Sequence, residues 1–267
     1  MNTAMPIRLL LAAPLAGVGA SVAADGLGRA RQRGKLVAGI AYVAPDYQAG
    51  GKFRTPEAID EALLEDVAKR LQLPLVTVRA KPGQHAQLLK SGKADIALVT
   101  VAASTAASAT LISTGYSAGP MAILRSDTDI KAWTQLKGRK VCVSEGSLYV
   151  GTLAAQYGAI EMVYKAPADA LIALRIGKCD ATVHDSAMLE ELIKHPEWKK
   201  FSARLPVGPR TTLAFVVPAG DKQSAAFLRQ VANDWAANGY LEQLMKKTAR
   251  QIAFEVYLDQ NVPDCHY

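Results

Sequence analysis

The sequence predicts an α/β chain of two similar lobes with a cleft between them, and two internal echoes carry that prediction. The first is a phrase said twice, Leu89-Lys90-Ser91-Gly92-Lys93-Ala94-Asp95-Ile96-Ala97-Leu98-Val99 and Leu174-Arg175-Ile176-Gly177-Lys178-Cys179-Asp180-Ala181-Thr182-Val183-His184. In each copy an apolar-periodic stretch suited to a helix stops at a glycine, the residue that best tolerates a left-handed C-cap, and a short β-prone run follows. The second echo pairs Gly34-Lys35-Leu36-Val37-Ala38-Gly39 with Gly138-Arg139-Lys140-Val141-Cys142-Val143, each a basic-flanked strand opening an α/β unit. Clefts between α/β lobes are where small ligands bind.

With 267 residues, 50% of them apolar and 21% charged, the chain can bury one large core or two modest ones and does not have the composition of a disordered protein. Met1 to Ala24 reads as a secretory signal peptide: one charge at Arg8, the apolar run Leu9 to Val18, then Val22-Ala23-Ala24 with small residues at both recognition positions. The run is too short to span a bilayer and no cysteine follows the cleavage site to take a lipid, so a soluble, exported, periplasmic protein is expected. Removing the signal takes away Arg8 alone and lowers the net charge from +7 to +6. The basic residues are scattered, with Lys199-Lys200 and Lys246-Lys247 as pairs and no aromatic-interleaved stripe, so a solvated basic surface is expected rather than a nucleic-acid partner. Three cysteines allow one internal disulfide at most. Cys142, mid-strand between valines, reads as a buried apolar residue, which favours a bridge between Cys179 and Cys265.

Thr55-Pro56-Glu57 reads as a helix start, with a hydroxyl cap, proline at the first helical position and an acid at the positive end of the dipole. Ile59, Leu63, Val67 and Leu71 follow at spacing four, with Asp60, Glu65, Asp66 and Lys69 on the opposite, solvated face. Leu75 to Val78 is the next strand, Gln84 to Lys90 a helix and Ile96 to Thr100 a strand, after which Ala102 to Thr110 is a small-residue loop or helical turn. Ala122 to Leu124 and Leu213 to Val217 flank a central block that holds the second copy of the echo, the layout of a chain that crosses into a second lobe and later returns. A helix over Gln223 to Asn238 carries Phe227, Val231 and Trp235 at spacing four, and Leu241 to Lys247 and a tail complete the chain. The expected division is lobe one over 25–118 plus 218–267 and lobe two over 119–217, with the signal peptide at 1–24.

In their order, Gly34 to Gly39, the aromatic loop Tyr42 to Tyr47, the helix Ile59 to Leu71, Leu89 to Asp95, Leu136-Lys137-Gly138-Arg139-Lys140-Val141, Glu145-Gly146-Ser147, Gly177 to Asp185 and the helices from Asp221 to Lys247 resemble the family 3 extracellular solute-binding proteins of amino-acid-type ABC transporters. The resemblance implies a two-lobed periplasmic binding protein fold of type II, with two crossing strands as hinge. It also implies a monomer that traps a small ligand between the lobes, closes on it and presents it to an inner-membrane permease, with no cofactor.

The family's ligand residues carry over in part. Asp185, at the C-terminal end of a strand after the glycine-lysine turn, stands where the family binds an α-ammonium; an aspartate there also caps a following helix, and Ser186 to Ile193 looks helical. Ala106 stands where the family has the arginine that grips a carboxylate, and Leu148 where it has a helper hydroxyl, with Ser147 beside it. A guanidinium–carboxylate contact has no substitute in an alanine, so the expected ligand bears an amine or other cation rather than being a standard α-amino acid held at both ends. Ser104, Thr105 and Ser108 offer neutral hydroxyls, and Arg210 offers a charge from the return crossing. Each of these also suits a solvated loop residue. Tyr47 and Tyr42 flank the first cleft loop, Tyr47 aligning with the aromatic that stacks on the ligand, and either suits an ordinary packing role as well. Asp46, if it faces the cleft beside Asp185, makes the pocket acidic.

Catalytic patterns are thin. Gly146-Ser147-Leu148-Tyr149 lacks the Gly-x-Ser-x-Gly elbow, and its serine reads as a helix cap. His85, His184, His195 and His266 show no metal-ligand spacing, and His184 is expected to face away from the cleft because it alternates with Asp185 along a strand. Glu145 is the acid that a dehydratase-like enzyme, as found among relatives of this family, would need. A further alternative is a periplasmic accessory or sensor protein on the same fold whose ligand site is altered or lost.

Overall fold

The repeated phrase marks the same junction in two separate sheets. In the first copy the backbone N–H of Asp95 donates to the Val37 carbonyl (2.8 Å) and its carboxylate accepts from the Val37 N–H (2.9 Å). In the second the Asp180 N–H donates to the Lys140 carbonyl (2.8 Å) and its carboxylate accepts from the Lys140 N–H (2.9 Å). Each aspartate thus clips the strand it opens to the first strand of its own lobe. Gly92 (φ 68°) and Gly177 (φ 75°) supply the left-handed residue before each clip, where a Cβ would be strained.

These contacts come from a computed structural model that describes residues 25–45, 52–57, 59–104 and 110–259. Chain order runs α1 (Gly26–Arg33), β1 (Leu36–Ile40), α2 (Ile59–Leu71), β2 (Leu75–Arg79), α3 (His85–Lys90), β3 (Ile96–Ala102), β4 (Leu111–Ala118) and β5 (Pro120–Leu124). It continues through β6 (Lys140–Ser144), α4 (Thr152–Tyr157), β7 (Ile160–Tyr164), α5 (Pro167–Arg175), β8 (Ala181–Asp185), α6 (Ser186–Leu192), β9 (Ala203–Arg204), β10 (Thr211–Val216), α7 (Lys222–Asn238) and α8 (Tyr240–Leu258). The first sheet has the order β2-β1-β3-β10-β4 and the second β7-β6-β8-β5-β9. In each, three parallel strands meet one antiparallel crossing strand, β10 in the first sheet and β5 in the second. The two α/β lobes expected from the echoes are therefore present, each lending the strand that enters the other.

The crossings lie at Ala118–Pro120 and 205–210. A Cβ on Gly119 would stand 2.5 Å from the Gly208 carbonyl oxygen, so the two crossings touch backbone to backbone. Arg210 braces them by donating to the Ser117 carbonyl (2.7 Å). Because β10 pairs with β3 and β4, the chain has returned to the first sheet by Thr211, earlier than the boundary at 217 expected from the apolar run Leu213 to Val217.

The core of the first lobe gathers Leu36, Leu63, Val67, Ile96, Phe215, Leu228 and Trp235. The α2 stripe behaves as its spacing requires, with Leu63, Leu64 and Val67 fully buried. Two expectations fail at the ends of helices. Thr55 caps no helix; its hydroxyl and N–H both donate to Glu255 of α8. Ser147 likewise caps no helix, since α4 begins only at Thr152 and the Ser147 hydroxyl accepts from the Tyr149 N–H within a turn.

The end of the chain departs furthest from expectation. In place of a short helix over Leu241 to Lys247, α8 runs 19 residues after a left-handed Gly239. Its apolar stripe changes partner midway. Met245 lies in the core of the first lobe, whereas Ala249, Ile252, Ala253 and Val256 lie in a core of the second with Met121, Leu171, Leu189 and Trp198. The helix is a third tie across the lobes, beyond the two crossings the sequence foresaw.

The expected Cys179–Cys265 bridge is replaced by a disulfide between Cys142 and Cys179, with Cα atoms 5.8 Å apart. Cys142, read as an apolar filler, stands on β6 beside β8, and Cys179 sits at the entrance to β8, so the sheet itself brings them together. Cys265 lies outside the described residues, as does the segment 1–24 read as a signal peptide.

Candidate functional site

The C-terminal ends of β1, β6 and β8 point at the seam between the lobes, together with the start of α2. Six polar side chains converge there: Asp185, Tyr116, Tyr149, Glu57, Ser144 and His184. Asp185, the last residue of β8, accepts from two phenols: Tyr116 of β4 in the first lobe (2.6 Å) and Tyr149 beyond β6 in the second (2.5 Å). Burial and the Asp185 carboxylate push both phenols up, so both hydroxyls stay protonated and donate. Asp185 caps no helix with its side chain, although α6 begins at the next residue. Two tyrosines leave a carboxylate about half of its acceptor positions, so Asp185 can still take an ammonium.

Beside it, Glu57 reaches across the seam to the second lobe, where the Ser144 hydroxyl and His184 Nε2 (3.0 Å) bond the same carboxylate oxygen. The Asp185 N–H donates to His184 Nδ1 (2.7 Å), which leaves the ring proton on Nε2, facing Glu57. Burial pushes the Glu57 carboxyl up, but His184 and the hydrogen bonds outweigh that and hold it below its ordinary value. His184 therefore faces the seam, contrary to the alternation argument. That argument holds only while a strand continues, and here α6 starts directly after Asp185.

Two cavities meet at this cluster and share Glu57, Ile59, Tyr116 and Asp185. The smaller, about 40 Å³, is walled by Tyr42, Glu57, Asp60, Glu61, Gly146, Leu148 and Asp185, among others. Among the described residues its lining carries four carboxylates and no lysine, arginine or histidine. Asp60, read from spacing as solvated, belongs to it: burial, then the Asp185 and Glu57 carboxylates, push it up to about 7. The walls are close. A Cβ on Gly146 would lie 2.5 Å from the Tyr42 ring and 2.6 Å from Glu57 Cβ, so the backbone of the second lobe rests directly on the first.

The raised Asp60 has a defined sign. Its protonated form is preferred in the closed cleft, so the stability it contributes is complete below the unfolded value near 4 and is lost as pH rises through about 7. The ligand-free protein is expected to melt at a lower temperature at pH 8 than at pH 5.5, and Asp60→Asn is expected to flatten that slope. An unchanged slope in the variant would show that Asp60 is not the titrating group.

Of the other residues singled out from the sequence, Tyr42 lines the smaller cavity and Leu148 lies opposite it. Ser104 is exposed at the end of β3, Arg210 is exposed at the crossing, and Ser147 lines neither cavity. Asp46, Tyr47, Thr105, Ala106 and Ser108 lie outside the described residues. Glu145 is exposed beside the seam. Glu57, Asp60, Tyr116, Tyr149, Ser144 and His184 were missed as a site, although one signal was available for two of them. Glu57 and Asp60 sit where the chain leaves β1 for α2, the end of a parallel α/β unit where ligands bind.

No protein-family model matches the sequence, and a search of curated proteins finds no match. Solved structures do match. A variant of ArgBP from T. maritima superposes with a TM-score of 0.56 at 21% identity, over 83% of this chain and 98% of that one. The cysteine-binding protein from Campylobacter jejuni gives 0.55 at 19% identity, over 85% and 94%. The amino acid ABC transporter substrate-binding protein AbpA from Streptococcus pneumoniae, bound to L-arginine, gives 0.56 at 17% identity, over 85% and 99%. These neighbours are binding proteins rather than enzymes. The chain has the two-lobed, type II periplasmic binding protein fold that the substrate-binding proteins of amino acid ABC transporters share.

Proposed function

We propose that this protein is a periplasmic solute-binding protein that captures a small amine-bearing cation between its lobes and delivers it, as a monomer, to the permease of an ABC-type importer. The observation that carries this reading is the seam cavity whose lining, among the described residues, has four carboxylates and no basic side chain. The cluster holds more carboxylates than the one histidine bonded to Glu57 can balance, and a bound ammonium relieves their mutual repulsion while anions are repelled. Two of the neighbours are described by arginine, as ArgBP and as AbpA bound to L-arginine, which agrees with a cationic ligand. Asp185 is the principal ammonium partner, with Glu57 and Asp60 completing the field and Tyr42 walling the site.

Asp185→Asn keeps the shape while removing the charge; one phenol still donates to the amide oxygen and the other must turn to accept from the amide N–H. The substitution is expected to weaken binding of a simple alkylammonium by about 2 to 5 kcal/mol in titration calorimetry. Unchanged affinity would remove Asp185 from the site.

One observation favours a second reading, in which the closed form serves as an accessory or sensor surface for another protein. Both Asp185 oxygens are already held by tyrosines, one from each lobe, and α8 ties the lobes as well. In that case no small cation changes the melting temperature, which separates the two.

A further inference from the structure

The larger of the two cavities, which shares Tyr116 and Asp185 with the smaller, has a volume of about 170 Å³. One end is the polar cluster of Glu57, His184 and Asp185. The rest is largely apolar, walled by Ile59 and Ala62 of α2, Met188 of α6, and Leu244, Met245 and Ile252 of α8, with Thr55 and Thr248 among them. Lys247 and Gln251, both exposed, also line it. The part of that wall given by Thr248 and Ile252 exists because α8 runs on past Lys247 and docks against the second lobe, which the sequence did not foresee. An apolar chamber joined to an acidic cluster at one end has the shape and polarity of an amphiphilic cation.

We propose that the ligand is a primary amine with an apolar body, its ammonium at Asp185 and Glu57 and its alkyl or aryl group in the chamber roofed by α8. This rests on the cationic reading above and adds the chemistry of the other half of the molecule. Of the polar side chains in the chamber's walls, the Thr55 hydroxyl is given to Glu255 and Lys247 and Gln251 stand exposed, so a second polar end deep in the chamber would meet little beyond the Thr248 hydroxyl, and a hydrocarbon loses nothing there. Met188 and Met245, unbranched and flexible, suit a wall that adapts to alkyl groups of different shape.

Methyl-, ethyl-, butyl- and hexylammonium chloride, titrated into the full-length mature protein, test this. The expected result is an affinity that rises about fourfold per methylene, the increment for burying one such group, until the chamber is full. Ala62→Phe places a ring in the chamber from the half-buried wall of α2 and is expected to abolish the rise with chain length. Affinity independent of chain length in the wild-type protein would overturn the chamber and leave the cationic site standing. Failure of every alkylammonium to bind would overturn both. The wild-type series decides the matter even if Ala62→Phe melts early.

Discussion

Gly146→Leu is expected to hold the lobes apart and cripple ligand binding without unfolding either lobe. Even the first atom of a side chain at this position would lie 2.5 Å from Tyr42 and 2.6 Å from Glu57, both fixed in the opposite lobe. Tyr42 and Glu57 can escape only by breaking the Glu57 contacts to Ser144 and His184, or by letting the seam open. Gly146 belongs to neither lobe's core, so the melting transition should change little. Overpacking of this kind costs about 1 to 3 kcal/mol, which weakens a binding event that requires closure by about 5- to 150-fold. Small-angle scattering should show a larger radius of gyration than wild type with ligand present. A variant that closes and binds normally would mean that the lobes do not meet through this contact in the bound state.

Val256→Asp addresses the third tie. Val256 is fully buried near the end of α8, in the core of the second lobe with Leu171, Leu189 and Trp198. A carboxylate there would be unpaired, and the neighbouring Glu255 is already committed to Thr55. Leaving an uncompensated charge buried costs about 3 to 5 kcal/mol, more than one helix end is worth, so the last turns of α8 should undock. Hydrogen exchange is expected to lose protection over 249–258 while β1, β3 and β10 keep theirs, and the ligand-free protein should open wider in scattering. Separate lobes joined by two short crossings would have little to resist opening; with α8 docked on both, opening must also shear or release that helix. Retained protection over 249–258 would show that the docking is not what holds the helix.

The lobes were legible because the physics that makes them is local and repeated. A left-handed glycine, a following lysine or small residue and an aspartate that clips the neighbouring strand recur at Gly92 to Asp95 and Gly177 to Asp180, and both copies do the same work. Asp185 was legible from its place at the end of a strand. The rest of the site was not, for reasons specific to each residue. Glu57 and Asp60 satisfy the rules for the start of a helix, and those rules give no sign that the start abuts another lobe. Tyr116 and Tyr149 act through their hydroxyls on a residue 69 and 36 positions away, which no short-range pattern records. His184 was misplaced by carrying strand alternation to the last residue before a helix. The reach of α8 was missed because its stripe of Ala249, Ile252, Ala253 and Val256 is small and follows a basic pair, so it resembles a tail until a partner surface is present. The disulfide partner of Cys179 lies on an adjacent strand, a fact of sheet order rather than of spacing.

The central claim is that charge selects the ligand at the seam, and it is tested by titrating butylammonium and butyrate, two ions of matched size, into the same preparation at pH 7. The acidic cavity formed by Glu57, Asp60, Glu61 and Asp185 predicts binding of butylammonium, with protons released from Asp60 as the cation enters, and no measurable binding of butyrate. Binding of butyrate with no response to butylammonium would contradict it.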